Sequence, residues 1–281
     1  MNHRIIARLD IKGPNLVKGI HLEGLRVLGK PEEFAYHYYK QGADEIIYHD
    51  AVASLYQRNS LLEIINRTAE AIFIPLTVGG GLRSIQDIQS VLRAGADKVS
   101  INTAAISNPD FISDAAKTFG SSTIVVAIEA IRQNDGSYLS YTDNGREYTG
   151  MEVQAWAKEV EERGAGEILL TSIDQEGTGN GFDEKLIQTV LPNVNIPVIL
   201  HGGAGNPNHV LNIFKNEKAD AIAIASMFHY GLINSNGAMG YHNEEGNVDF
   251  LKQQRSFKVF EYETIISLKK NLVDNGITVR Y

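Results

Sequence analysis

Short apolar runs alternate along the chain with longer amphipathic segments. The runs are RIIARLDI (4–11), EIIYHD (45–50), IPLTV (74–78), KVSIN (98–102), TIVVAIEA (123–130), EILLTSI (167–173), IPVILH (196–201) and AIAIAS (221–226). Each is a strand candidate. Segments 31–42, 60–71, 84–95, 107–119, 151–164, 184–191 and 207–217 read as helices, and several open on Ser, Asn, Asp or Pro, as helix starts do. Regular alternation of strand and helix predicts parallel strands.

The two halves of the chain echo each other. GADEIIYHD from Gly42 resembles GAGEILLTSID from Gly164, and IPLTVGGG from Ile74 resembles IPVILHGGAG from Ile196, both at an offset of 122 positions. AGADKVSINTAA and EKADAIAIASMF continue the match. A repeat of four βα units predicts an α/β fold, a (β/α)8 TIM barrel built from two homologous half-barrels, in preference to an open Rossmann sheet. The expectation is one domain over 1–281 with two departures from regular spacing. Residues 131–150 predict a hairpin turned by Asp143, Asn144 and Gly145. Residues 230–260, polar and rich in Gly and Asn, read as an insertion after the eighth strand and before a last helix at 261–275. It is either a lid or partner contact, or a solvated decoration.

In such a barrel the chemistry sits at the C-terminal ends of the strands. Asp10 ends the first strand and Glu129 the fifth, on opposite sides of the barrel, and Asp50 and Asp174 fall at or just beyond the ends of the second and sixth. Facing carboxylates suit general acid/base chemistry if one holds its proton and the other does not. The plainer alternative is that each pairs with a buried Arg or Lys. Period-two alternation puts Arg4, Ile6, Arg8 and Asp10 on one face, so an inward Asp10 carries Arg8 inward with it. A guanidinium at that depth needs a carboxylate partner, for which Glu129 is a candidate, and that pairing would lower the Glu129 pKa.

Two glycine turns, VGGGLRS (78–84) and HGGAGNP (201–207), each follow a strand and precede a helix, an arrangement that offers backbone N–H groups to an anion. INTAA (101–105) and IASMF (224–228) complete each turn with small or hydroxyl residues. Two such sites suit a substrate phosphorylated at both ends. At the opposite rim, Arg4, Glu45, Lys98 and Glu167 alternate in charge, either as salt bridges capping the core or as a gate.

Composition narrows the choice. The chain has 281 residues, 43% of them apolar, and a net charge of −8, which argues against a nucleic-acid partner bound through a basic surface. It has no cysteine, so thiolate chemistry is excluded and a cytoplasmic location is expected. No apolar run is long enough to span a membrane. The scattered histidines show no metal-ligand spacing, and no metal or other cofactor is expected.

The motifs resemble those of the HisF family, the cyclase subunit of imidazole glycerol phosphate synthase. LDIKGPNLVKG is similar to that family's LDVKDGRVVKG, and IPLTVGGGLRS, AGADKVSINTAA, GAGEILLTSID and GGAGN match nearly residue for residue over about 4–229. The resemblance implies a lyase-type enzyme of histidine biosynthesis. A HisH-like glutaminase would sit at the N-terminal barrel face, and ammonia would pass through the barrel to a bisphosphorylated ribulosyl substrate. By the same resemblance Asp10 and Glu129 are the catalytic pair, with Glu129 in the place of an Asp, and Lys18 lies near the substrate. Gly81, Asn102 and Thr103 hold one phosphate, and Gly177, Gly203 and Ser226 hold the other. Arg4, Glu45, Lys98 and Glu167 match the ammonia gate. Arg8, Glu176 and His201 depart from the family pattern at the reaction end, as does VASLYQRNS (52–60). An alternative follows from those departures: a relative that passes ammonia to a sugar amidotransferase of surface-glycan biosynthesis.

Overall fold

The computed structural model describes residues 2–51, 59–217, 219–236 and 260–280. Its strands are β1 (Arg4–Lys12), β2 (Asn15–Ile20), β3 (Glu23–Gly29), β4 (Glu45–Asp50), β5 (Leu76–Gly79), β6 (Lys98–Ile101), β7 (Ile124–Arg132), β8 (Tyr138–Thr142), β9 (Glu147–Glu152), β10 (Glu167–Ser172), β11 (Val198–His201) and β12 (Ala221–Ile224). Eight of them pair in parallel in the order β10, β11, β12, β1, β4, β5, β6, β7, and β7 pairs back to β10. These eight strands therefore close into a barrel, and each of the eight apolar runs supplies one of its staves. Among the described residues no helix is long and apolar enough to cross a membrane.

Two apolar layers hold the barrel. Inside it, Ile6, Ile47, Val125, Leu169, Ile199 and their alanine neighbours interdigitate. Outside, the opposite faces of the same strands pack against the helices, where Trp156, Tyr38 and Phe34 are fully buried. Side chains of this size contribute roughly 1.5–3 kcal/mol each on burial. The helices begin where the sequence supplies caps. Ser84 accepts the N–H of Asp87, Asp183 that of Leu186, Asn206 that of His209 and Thr264 that of Ser267.

The hairpin expected within 131–150 is β8–β9. Asp143, Asn144 and Gly145 all take positive φ at its turn, and β8 pairs antiparallel with the outer end of β7. A second hairpin, β2–β3, fills the first βα loop and was not expected. Its turn is His21–Leu22, with φ of 54° and 61°. The proposed insertion needs correction at its start, because Ser226–Asn236 is a helix whose Met227, Phe228, Tyr230 and Leu232 are buried in the core. Most of the 230–260 segment, and residues 52–58 of the second βα loop, lie outside the described residues. The last helix spans Ile265–Asp274. Its Lys269 donates to Asp44 at 2.8 Å and to the Arg280 carbonyl at 2.7 Å, tying the chain's end to the barrel bottom.

Candidate active site

Alternation along β1 points Arg4, Ile6, Arg8 and Asp10 into the barrel, one above another. Arg4 lies at the bottom rim. It is ion-paired to Glu167 and to Glu45, the latter at 2.5 Å, while Lys98 reaches Glu45 at 3.2 Å and Glu167 at 3.1 Å. The four residues close a ring of alternating charge beneath the apolar interior layer. The carboxylates are nearly buried, at 7% exposure, whereas Arg4 and Lys98 retain 24% and 20% and face the solvent below.

Above the apolar layer the bore turns polar again. Arg8 and Asp10 are each 2% exposed and Glu129 is 3% exposed, so all three side chains must find partners within the barrel. Arg8 donates through Nε to Asp10 at 3.1 Å and through Nη1 to the Thr171 hydroxyl at 3.2 Å. The expected direct pairing of Arg8 with Glu129 is thus corrected. Asp10 lies two residues along the same strand face and is reached first. Glu129 instead accepts the Gly145 N–H at 2.9 Å, so the β8–β9 turn folds over it. Strand register places Thr171 between Glu129 on one neighbour and His201 on the other, and Asp10 beside His49.

The two acids are displaced in opposite directions. Burial alone would raise the Asp10 pKa, but the Arg8 guanidinium and the Lys18 ammonium outweigh it and hold Asp10 well below the usual carboxylate range. Burial pushes Glu129 up to about 7, against the opposing pull of Arg8, the Gly145 N–H and the Asn102 amide. The effect on Glu129 is therefore the reverse of the lowering expected from a direct Arg8 pair. Near neutral pH the barrel mouth holds an ionised Asp10 and a Glu129 poised to hold or release its proton, a division of labour that general acid/base chemistry needs.

A cavity of about 280 Å³ opens beside Glu129, lined by Gly80, Gly81, Arg83, Asn102 and Thr103 among others. Its glycine turn leaves no room for a side chain. A Cβ on Gly80 would stand 2.5 Å from the Asp50 carbonyl oxygen, and Gly80 has a φ of +97°. The second turn is built differently. Gly203 is backed so closely by the preceding loop that a Cβ would lie 1.9 Å from the Gly181 carbonyl oxygen. Gly177, His201, Gly203 and Ser226 come together there with Glu176, around a space of about 10 Å³. Lys18 is buried, ion-paired to Glu176 and 3.8 Å from Asp10. His201 donates from Nδ1 to the Ala223 carbonyl at 2.9 Å, and burial together with Arg8 holds its pKa well below the usual value.

The site residues that the resemblance names lie at three levels, the bottom ring, the mouth and the two glycine turns, whereas Asp174 sits outside them, accepting the Arg132 N–H at 2.8 Å, and residues 52–58 lie outside the described residues. Several mouth residues were not anticipated. His49 meets the Asn144 amide oxygen through Nε2 at 2.9 Å. Thr171 holds Arg8, and Leu22 gives its N–H to Glu176 at 2.9 Å. His49 and Thr171 share the inward strand faces that alternation defines, so the signal that turned Arg8 inward also covers them. Leu22 acts through its backbone, for which the side-chain pattern carries no signal.

Residues 4–234 match the model of the family described as histidine biosynthesis protein. A relative from Legionella pneumophila, named imidazole glycerol phosphate synthase subunit HisF, is 63% identical over 73% of this chain and 96% of its own. Relatives of the same name from Methanopyrus kandleri and Lactococcus lactis are 48% and 49% identical, over 81% and 82% of this chain and 90% of their own. The chain therefore belongs to the histidine biosynthesis protein family and, within it, to the HisF group.

Proposed function

We propose that the chain is the cyclase subunit of imidazole glycerol phosphate synthase. It takes glutamine-derived ammonia from a HisH-like glutaminase at the N-terminal barrel face and adds it to a bisphosphorylated ribulosyl substrate at the mouth. The observation that carries this reading is the pair of buried acids on opposite strands, Asp10 beside Arg8 and Lys18 with its pKa held down and Glu129 with its pKa raised by burial, next to an open glycine-lined cavity.

Addition of ammonia to a ketone carbonyl requires a proton on the carbonyl oxygen and the removal of one from nitrogen, and a second proton then lets that oxygen leave as water to give an imine. Ring closure and cleavage then need a proton delivered to the departing amine and one taken from the closing ring. Protonated Glu129 supplies the first kind of transfer and ionised Asp10 the second. Arg8 steadies the Asp10 charge and spans the bore toward Thr171, so ammonia reaching the mouth passes the guanidinium. No observation favours the alternative of ammonia delivery to a sugar amidotransferase.

The bottom ring is the entry under this reading, and it gives the test. Lys98→Met leaves both Glu45 and Glu167 with Arg4 as their remaining ring cation. With the glutaminase present, glutamine-driven turnover should fall about tenfold or more, the equivalent of about 1.4 kcal/mol of lost coupling. Turnover driven by added ammonium salt should stay near the wild-type value. Equal losses in both assays, or none in either, would remove the ring from the ammonia path.

A further inference from the structure

The two anion turns differ in the space they leave. The first opens into a cavity of about 280 Å³, whereas the second encloses about 10 Å³, room for about one water molecule. Glu176 lines the smaller space. Its side chain is fully buried, and its carboxylate pairs with the Lys18 ammonium and accepts the Leu22 N–H at 2.9 Å. Lys18 is on β2 and Leu22 is in the turn that follows it, so one carboxylate ties the first βα loop to the sixth. A buried cation and a backbone N–H converging beside a glycine turn form an anion site. Here the anion is a side chain.

His201 adds an independent observation. With Nδ1–H donating to the Ala223 carbonyl and the ring neutral, Nε2 is an acceptor. It lies 4.0 Å from the Glu176 carboxylate and has no hydrogen-bond partner among the described residues. A carboxylate has no proton to offer it. The P–OH of a phosphate monoanion, or a hydroxyl next to the phosphate, does.

We propose that Glu176 is an internal stand-in for the far phosphate of the substrate, and that this phosphate is seated at Gly177, Gly203 and Ser226 only by displacing the carboxylate from Lys18. The inference rests on the reading of a doubly phosphorylated substrate and adds a specificity-determining residue to it. A ligand with a single phosphate binds at Gly81 and Thr103 without disturbing the latch. A ligand with two phosphates must break the Lys18–Glu176 pair, which makes Glu176 the residue that sets how strongly the second phosphate counts toward binding.

The test uses inorganic phosphate as the probe, titrated calorimetrically into the full chain. Glu176→Ala removes both the charge and the bulk; Glu176→Gln removes the charge while keeping an acceptor for the Leu22 N–H, and serves if the alanine variant folds poorly. Each folded variant should bind one phosphate more than the wild type, with affinity at the gained site raised roughly tenfold or more. The same phosphate stoichiometry in wild type and variants would overturn the proposal. Because this readout needs no turnover, a failure of the cyclase reading would appear separately, as absent product with the phosphate stoichiometry still changed.

Discussion

Asp10→Asn lowers ammonium-driven turnover by roughly 10²–10⁴-fold, the usual contribution of a positioned acid/base group, with little change in KM. Asn preserves the shape of the side chain and an acceptor oxygen for the Arg8 Nε–H, but it cannot take a proton. The substitution also leaves Arg8 and Lys18 short of a negative charge inside the barrel, and removing one partner of a buried pair typically costs about 3–5 kcal/mol. Melting temperature therefore accompanies the kinetics, with rates compared well below the variant's transition. A folded Asp10→Asn protein that turns over within a few-fold of wild type would mean that Asp10 is a structural counter-ion of Arg8.

Glu129→Gln separates function from stability in the opposite way. Glu129 titrates at about 7 in the folded chain against 4.5 in the unfolded one. Between those values the folded state holds a proton that the unfolded state has lost. Stability therefore falls as pH rises through that window and levels off above about 7, a change of roughly 3 kcal/mol for a fully buried group. Gln cannot ionise, so the variant should lose this slope and gain stability relative to wild type at pH 8 compared with pH 5. Its kcat should fall at every pH, and wild-type kcat should decline as pH rises past about 7 and the acid gives up its proton. Parallel melting-temperature profiles for wild type and variant would refute the assignment of Glu129 as the protonated member of the pair.

The barrel was readable from the sequence because parallel strands covered on both sides are apolar along most of their length, and each of the eight runs stands out between helices. The first-loop hairpin was not, since its two-residue turn is His21–Leu22 and lacks the Asn-Gly or Asp-Gly signal of such turns. The Ser226–Asn236 helix was missed for a related reason. Apolar residues surround it and polar ones end it, leaving no helical period to read. Within the site, strand-end position found Asp10 and Glu129 and period-two alternation added Arg8, but neither says who pairs with whom. Asp10 and Thr171 win Arg8 through side-chain reach, which strand position does not encode. The Lys18–Glu176 pair joins two loops 158 residues apart, and only the closed barrel brings them together.

Ammonium-driven turnover of the purified chain on the bisphosphorylated ribulosyl substrate, without the glutaminase, tests the account most directly. Imidazole glycerol phosphate and the aminoimidazole nucleotide should appear in equal amounts. A folded, phosphate-binding chain that consumes no substrate under saturating ammonia would contradict the assignment of the chemistry to this mouth.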